Sequence, residues 1–129
     1  MILDSNIIIY SFQSRHSYLQ RFMRDKEAGC SAITQVEVLG YPRLSPDEKH
    51  YLEACFANIK IYPIDSNVIQ AAVALRQQRK MSLGDAIIAA TALEYHQTLI
   101  TRNVDDFAWV EGLKVINPLE GEACVSVPP

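Results

Sequence analysis

The stretch MSLGDAIIAATALEYHQTLITRNVDDF, residues 81–107, decides the fold. From Leu83 to Tyr95 it is almost wholly apolar, and a helix apolar on every side must be buried on most of them. Ser82 stands just before that helix and Asp85 in its first turn, an S-x-x-D start. Leu99 to Thr101 then reads as a buried strand, and Asn103 to Trp109 as a turn or short helix. A buried helix leading straight into a buried strand is the unit of an α/β protein whose parallel sheet is covered on both faces.

Working outward, the same alternation continues. Ile2 and Leu3 form a buried strand that ends at Asp4, and Asn6 to Phe12 is apolar enough for a short buried helix. Tyr18, Leu19, Phe22 and Met23 recur at helical spacing up to Gly29, which is expected to stop that helix. Residues 30–33 (CSAI) read as a strand, and Thr34 opens a helix closed by Gly40 and Pro42. Ser45-Pro46-Asp47-Glu48 is a capping box with proline at the first helical position. Residues 59–64 (IKIYPI) are a strand that Pro63 assigns to an edge or a strand end. A helix from Asn67 to Lys80 and a last strand from Leu113 to Ile116 complete the pattern. Residues 1–118 are thus predicted to form one α/β domain, a three-layer α/β/α sandwich around a parallel β-sheet. Residues 119–129 lack periodicity and are predicted to be a loose tail.

Composition narrows the function classes. The chain has 129 residues, 49% of them apolar, and a net charge of −3. The cysteines Cys30, Cys55 and Cys124 are odd in number and far apart, as expected of free thiols in a reducing compartment. Neither a signal peptide nor a membrane-length apolar run is visible, so a soluble cytoplasmic protein is predicted. The histidines His16, His50 and His96 show no zinc spacing. No phosphate-binding glycine loop is present. Ser5, Ser82 and Thr101 have no histidine at a position that would activate a nucleophile.

Four acids stand where apolar strands are expected to give way to helices: Asp4, Glu37, Asp85 and Asp106. Ligands of parallel sheets bind outside the carboxyl ends of the strands, so one crevice would collect all four. Each acid also has an ordinary reading as a helix cap. Thr34 to Glu37, Ser82 to Asp85 and Asn103 to Asp106 all have capping-box form, and Asp4 could cap the helix that follows it. Asp65-Ser66-Asn67 repeats the Asp4-Ser5-Asn6 sequence in just such a setting. Yet Asp4 and Asp85 lie among Ile, Leu and Met, and an unpaired carboxylate buried there needs a metal or a proton. A set made only of hard oxygen donors suits Mg²⁺ or Mn²⁺ rather than Zn²⁺. Setting these four aside leaves 11 acids against 12 bases, so the acidic total does not exclude a phosphate-rich substrate.

The segments ILDSNIIIY, SAITQVEVLGY, SLGDAIIAATAL and LITRNVDDF, followed by GLKVINPL, resemble PIN-domain nucleases in identity and order. The resemblance is nearest to the VapC-type toxins of bacterial toxin–antitoxin modules. It implies a PIN-like sandwich and a metal-dependent endoribonuclease that leaves a 5′-phosphate and a 3′-hydroxyl. It further implies Asp4 and Asp85 as main ligands of Mg²⁺ (or Mn²⁺), Glu37 as the third acid, and a fourth position open between Asn103 and Asp106, with Asp105 behind them. Asn6 is expected to hydrogen-bond the carboxylate of Asp4. Arg102 and Lys80, with Arg76 and Arg79, are candidates for the RNA backbone, although no aromatic-rich basic stripe is evident in the sequence. The implied partners are an RNA substrate, a cognate antitoxin and a second copy in a homodimer, with Val36, Leu39, Tyr41 and Leu44 as interface candidates.

Two other classes fit parts of the pattern. A phosphoacceptor domain of the receiver or haloacid type would use Asp4 alone, but Asn6 breaks the D-x-D of the latter, and Glu37 and Asp85 are left without a role. A binding-only module would make all four acids caps.

Overall fold

Ile2 and Leu3 are the whole of the first strand, β1 (Ile2–Leu3), and their side chains enter opposite cores. Successive residues of a strand face opposite ways, so a sheet covered on both sides needs apolar residues at both. In this computed structural model, which describes residues 1–118, β1 is the middle of five parallel strands in the order β3-β2-β1-β4-β5. These are β2 (Gly29–Ser31), β3 (Lys60–Tyr62), β4 (Leu99–Ile100) and β5 (Val115–Ile116). Ile2 is in register with Gly29 on one side and Leu99 on the other.

The first core packs Ile2, Tyr62 and Leu99 against α5 (Ser66–Gln78) and α6 (Leu83–Glu94). The second packs Leu3, Cys30 and Ile100 against α1 (Ser5–Ser11), α2 (Gln20–Arg24), α3 (Ala32–Leu39) and α4 (Pro46–Asn58). A 3-10 segment, Ser14–Leu19, joins α1 to α2, and α7 (Val104–Phe107) lies between β4 and β5. The expected three-layer α/β/α sandwich is the observed one. Helix α6 buries Ala86, Ile88, Ala89, Ala90 and Ala92, residues that point almost all the way round its axis. Alanines on that helix let its backbone lie close to both the sheet and α5.

Several local expectations are corrected. Asp85 does not follow a strand: α5 and α6 are consecutive helices. Glu37 lies well inside α3, whose cap is Ser31 rather than Thr34; Ser31 Oγ accepts from the Ile33 N–H at 3.3 Å. Thr34 is instead fully buried in the helix. The second expected helix ends at Arg24, and Gly29 opens β2. A Cβ there would stand 2.6 Å from the Tyr62 ring and 2.9 Å from the Lys60 carbonyl oxygen, so only glycine fits between these strands. The Ser45–Glu48 capping box forms as read, with Pro46 opening α4. Strand β3 is at an edge, as Pro63 suggested. The expected tail, residues 119–129, lies outside the described residues, as does Cys124, while Cys30 and Cys55 are buried free thiols.

The close packing of α6 makes a direct prediction. Ala89→Leu, at a fully buried site, should cost about 1–3 kcal/mol through overpacking. The measurement is urea unfolding, with a lower midpoint and an unchanged slope; an unchanged midpoint would show that α6 has room to spare.

Candidate active site

The strand order places β2 and β3 on one side of β1, and β4 and β5 on the other. The chain thus changes direction across the sheet between β1 and β4, and a crevice opens at their carboxyl ends. Asp4 leaves β1 there and Thr101 leaves β4 there. Thr101 Oγ1 donates to Asp4 Oδ2 at 2.6 Å, a buried bond between residues 97 positions apart in sequence. Asp4 Oδ1 accepts from the Ser5 N–H at 2.8 Å, so Asp4 does cap α1. Thr101 Oγ1 also accepts from the Asn103 N–H at 3.1 Å, which fixes the direction of its own proton toward Asp4.

These two bonds do not make Asp4 an ordinary cap. The side chain is only 5% exposed. Burial, the dominant cause, pushes its pKa from an ordinary 3.8 up to about 6. The bonds from Thr101 and Ser5 oppose that rise, and the charges of Asp85 and Glu37 add to it. Asp85 is likewise raised, first by burial and then by Asp106, with Ser82 pulling the other way and Glu37 adding to the rise. Asp85 and Glu37 thus act on Asp4, and Asp106 and Glu37 act on Asp85, each raising the pKa of the carboxyl it acts on.

Glu37 and Asp85 reach the crevice from helices. Asp85 stands in the first turn of α6, where its N–H donates to Ser82 Oγ at 3.1 Å. Glu37 Oε1 accepts from Ser5 Oγ at 2.6 Å. Its other oxygen lies against α6, where a Cβ added at Gly84 would be 2.3 Å from Oε2. The missing side chain of Gly84 thus makes the space in which Glu37 sits next to Asp85. Asp106, in α7, lines with Asp85 a cleft of ≈250 Å³ that also holds Arg79, Lys80, Asp105 and Trp109. An adjoining cleft of ≈330 Å³ is lined by Arg102, Asn103, Asp105, Asp106 and Asn117.

Of the four acids, Asp4 lies within electrostatic reach of Asp85 and Glu37, and Asp85 within reach of Asp106 and Glu37. Lys80 and Arg102 line the two clefts that meet at Asp105 and Asp106. The expected bond from Asn6 to Asp4 is not made: Thr101 takes that place, and Asn6 Oδ1 is buried without a partner. Asn103 starts α7 but makes no side-chain cap; its contribution is the backbone N–H on Thr101. Sequence reasoning weighed Ser5 and Thr101 only as nucleophiles, not as donors to Glu37 and Asp4, and missed Gly84 altogether.

Among the described residues no three Asp, Glu, His or Cys side chains close on one point as ready ligands. A cage of that kind is not what a hard divalent ion requires. Mg²⁺ typically takes one or two carboxylates and keeps several waters. An all-oxygen donor set with one buried member, Asp4, that forms no ion pair with any described residue fits such an ion.

A model of the PIN domain matches residues 1–113. The chain belongs to the PIN-domain family. PIN domains are nucleases. Among solved structures, a toxin–antitoxin complex from Klebsiella pneumoniae matches with 33% identity and a TM-score of 0.76, over 91% of this chain and 96% of that one. VapBC2 from Rickettsia felis, bound to a DNA fragment from its promoter, shares the fold at 18% identity and a TM-score of 0.75, covering 90% and 96% of the two chains. VapBC-1 from nontypeable Haemophilus influenzae does so at 22% identity and a TM-score of 0.72, again over 90% and 96%. None of the curated proteins compared matches the chain. The PIN assignment leaves the phosphoacceptor reading without support.

The raised pKa of Asp4 carries a stability prediction. In the folded protein the proton is held up to about pH 6, and in the unfolded chain only to 3.8. The resulting stabilisation is full below pH 4 and is lost as pH rises through 6. It amounts to about 3 kcal/mol between protonated and charged forms. In chelator, Asp4→Asn should remove this pH dependence and be more stable than the parent PIN domain at pH 7.5. Thermal melts of both from pH 4 to pH 7.5 measure the difference; a variant less stable at pH 7.5 would show that the charge is already compensated.

Proposed function

We propose that this PIN domain is the toxin of a toxin–antitoxin module and cuts RNA as a divalent-metal-dependent endoribonuclease. The observation that supports this reading most is the buried Asp4, held by two hydrogen bonds and facing Glu37 and Asp85, with no cation paired to it among the described residues. Mg²⁺ or Mn²⁺, when bound, lowers the pKa of a water and stabilises the charge that develops on a phosphate. Asp4 and Asp85 would hold the ion, with Glu37 as the third acid. Thr101 and the Ser5 N–H fix both oxygens of Asp4, which limits its rotation. Ser5 Oγ orients Glu37. Asp106, across the cleft from Asp85, would orient a water or a second ion. Arg102 and Lys80, at the lip of the two clefts, would hold RNA phosphates.

The module itself supplies the partners in this reading. Val36 and Tyr41 are 67% and 56% exposed, unusual for an aliphatic and an aromatic side chain so close together in sequence. They support a face covered by the antitoxin or by a second copy in a homodimer. Leu39 and Leu44 are instead half-buried against the second core. No helix among the described residues is long and apolar enough to cross a membrane, in keeping with action on cytoplasmic RNA.

Purified protein in Mn²⁺ or Mg²⁺ tests the assignment. Asp4→Asn and Asp85→Asn should each lower RNA cleavage more than about 100-fold, because even partners that only orient a ligand are worth about 10–100-fold. Thr101→Val should fall within that 10–100-fold range. Undiminished cleavage by either aspartate variant would refute the proposed chemistry. Gly84→Ala should also lose most activity, since its methyl group occupies the position of the Glu37 carboxylate. Shortening that acid in the same protein, as Gly84→Ala with Glu37→Asp, should recover part of the loss.

A further inference from the structure

Two arginines flank the acidic crevice, and each is attached to an aromatic ring rather than to a carboxylate. Arg102, exposed beside Thr101, lies 5.1 Å over the Tyr10 ring and donates from Nη1 to the Tyr10 hydroxyl. Arg79 lies 5.1 Å over the Trp109 ring. The cleft lined by Arg79 and Trp109 and the cleft lined by Arg102 share Asp105 and Asp106. The order across this edge is therefore one arginine–aromatic pair, the acids, then the other pair. Behind Tyr10 the rings continue: His16 packs edge-on at 5.4 Å from Tyr10, and Tyr18 at 6.0 Å from His16.

Charge makes this arrangement informative. Acidic neighbours are at hand for both guanidinium groups, since Asp105 and Asp106 line both clefts. Yet among the described residues neither arginine forms an ion pair with them; each is oriented by a ring and keeps its full positive charge. A cation that is positioned but not neutralised suits a phosphate. An arginine resting on an aromatic ring is also the surface on which an unpaired base stacks. In a duplex the bases are stacked on one another and cannot use it.

We propose that these two pairs form a track for single-stranded RNA, with one nucleotide on either side of the scissile phosphate stacked on the Arg102–Tyr10 and Arg79–Trp109 pairs. The inference rests on the ribonuclease reading and adds the residues that would hold the bases flanking the cut. Tyr10 sits in the last turn of α1, roughly 9 Å along the axis from Asp4, which is the reach of a neighbouring nucleotide. The track selects unpaired RNA through base faces and tolerates any base, since every base has one.

The test uses the full chain carrying Asp85→Asn, so that RNA stays intact, and measures binding of fluorescent oligo(A) and of an abasic ribose–phosphate oligomer of the same length. Tyr10→Leu and Trp109→Leu should each weaken oligo(A) binding by about 5- to 150-fold and leave the abasic oligomer unchanged. Tyr10→Phe, which keeps the ring, should bind oligo(A) like the parent and guards against a loss that reflects misfolding. An RNA duplex should compete poorly. Equal losses on both oligomers, no loss on either, or duplex binding as tight as that of the single strand would each overturn the track. If they do while the unmutated chain still cleaves RNA, the nuclease reading stands; if the unmutated chain neither binds nor cleaves RNA, both fall.

Discussion

A carboxylate placed under the surface at the point where the chain reverses across its sheet governs this molecule. Removing Asp4 from water penalises its charge, and neither of its hydrogen bonds cancels the penalty, because its pKa remains at about 6. The fold nevertheless holds it there from both sides. The Ser5 N–H comes from the start of α1, and the Thr101 hydroxyl comes from the end of the neighbouring strand. The rest of the site follows from that placement. Ser5 also sends its hydroxyl to Glu37, Gly84 makes room for Glu37 beside α6, and the first turn of α6 brings Asp85 to the same crevice. Stability is spent locally so that negative charge collects at one place, a pattern that belongs to sites which act on something.

A second aspartate in the same chain shows what the ordinary case looks like. Asp65-Ser66-Asn67 repeats Asp4-Ser5-Asn6, and Asp65 also begins a helix after a strand. Its carboxylate accepts from the Val68 N–H at 2.9 Å and from the Tyr95 hydroxyl at 2.7 Å. These bonds hold it below the usual carboxylate range, whereas Asp4 is driven above it. The same three residues thus give opposite electrostatics, and the difference is burial and company. Asp65 is an exposed cap; Asp4 is a cap that has been enclosed beside two other acids.

That contrast also marks what the amino-acid sequence can and cannot tell. Period-two and helical patterns located the strands and helices to within a few residues, because burial on two faces imposes them. Asp4 and Asp85 stood out in the sequence because a carboxylate among Ile, Leu and Met is costly, whereas Glu37 and Asp106 stood out only by their place in the pattern. The routes of the acids to the crevice were not legible. Asp85 looked like a residue after a strand but follows a helix, and Thr34 looked like a cap although Ser31 does that work. Asn6 lies two residues from Asp4 in sequence, yet the hydroxyl that binds Asp4 comes from 97 residues away. The Arg102–Tyr10 pair spans 92 positions, so no local pattern could have announced a ring beside that cation. Contacts of this range are set by strand order, which local propensity does not encode.

If the enclosed charge of Asp4 serves a cation, that cation competes with the proton Asp4 holds. Calorimetric titration of the chelator-treated protein with Mn²⁺ near pH 6, in two buffers of different ionisation enthalpy, reads both binding and the protons exchanged with it. Binding should come with net proton release, because an ion must displace the proton that Asp4 retains at that pH, and Asp4→Asn should abolish the release. Mn²⁺ binding with no proton released, or with the same release in Asp4→Asn, would contradict that competition.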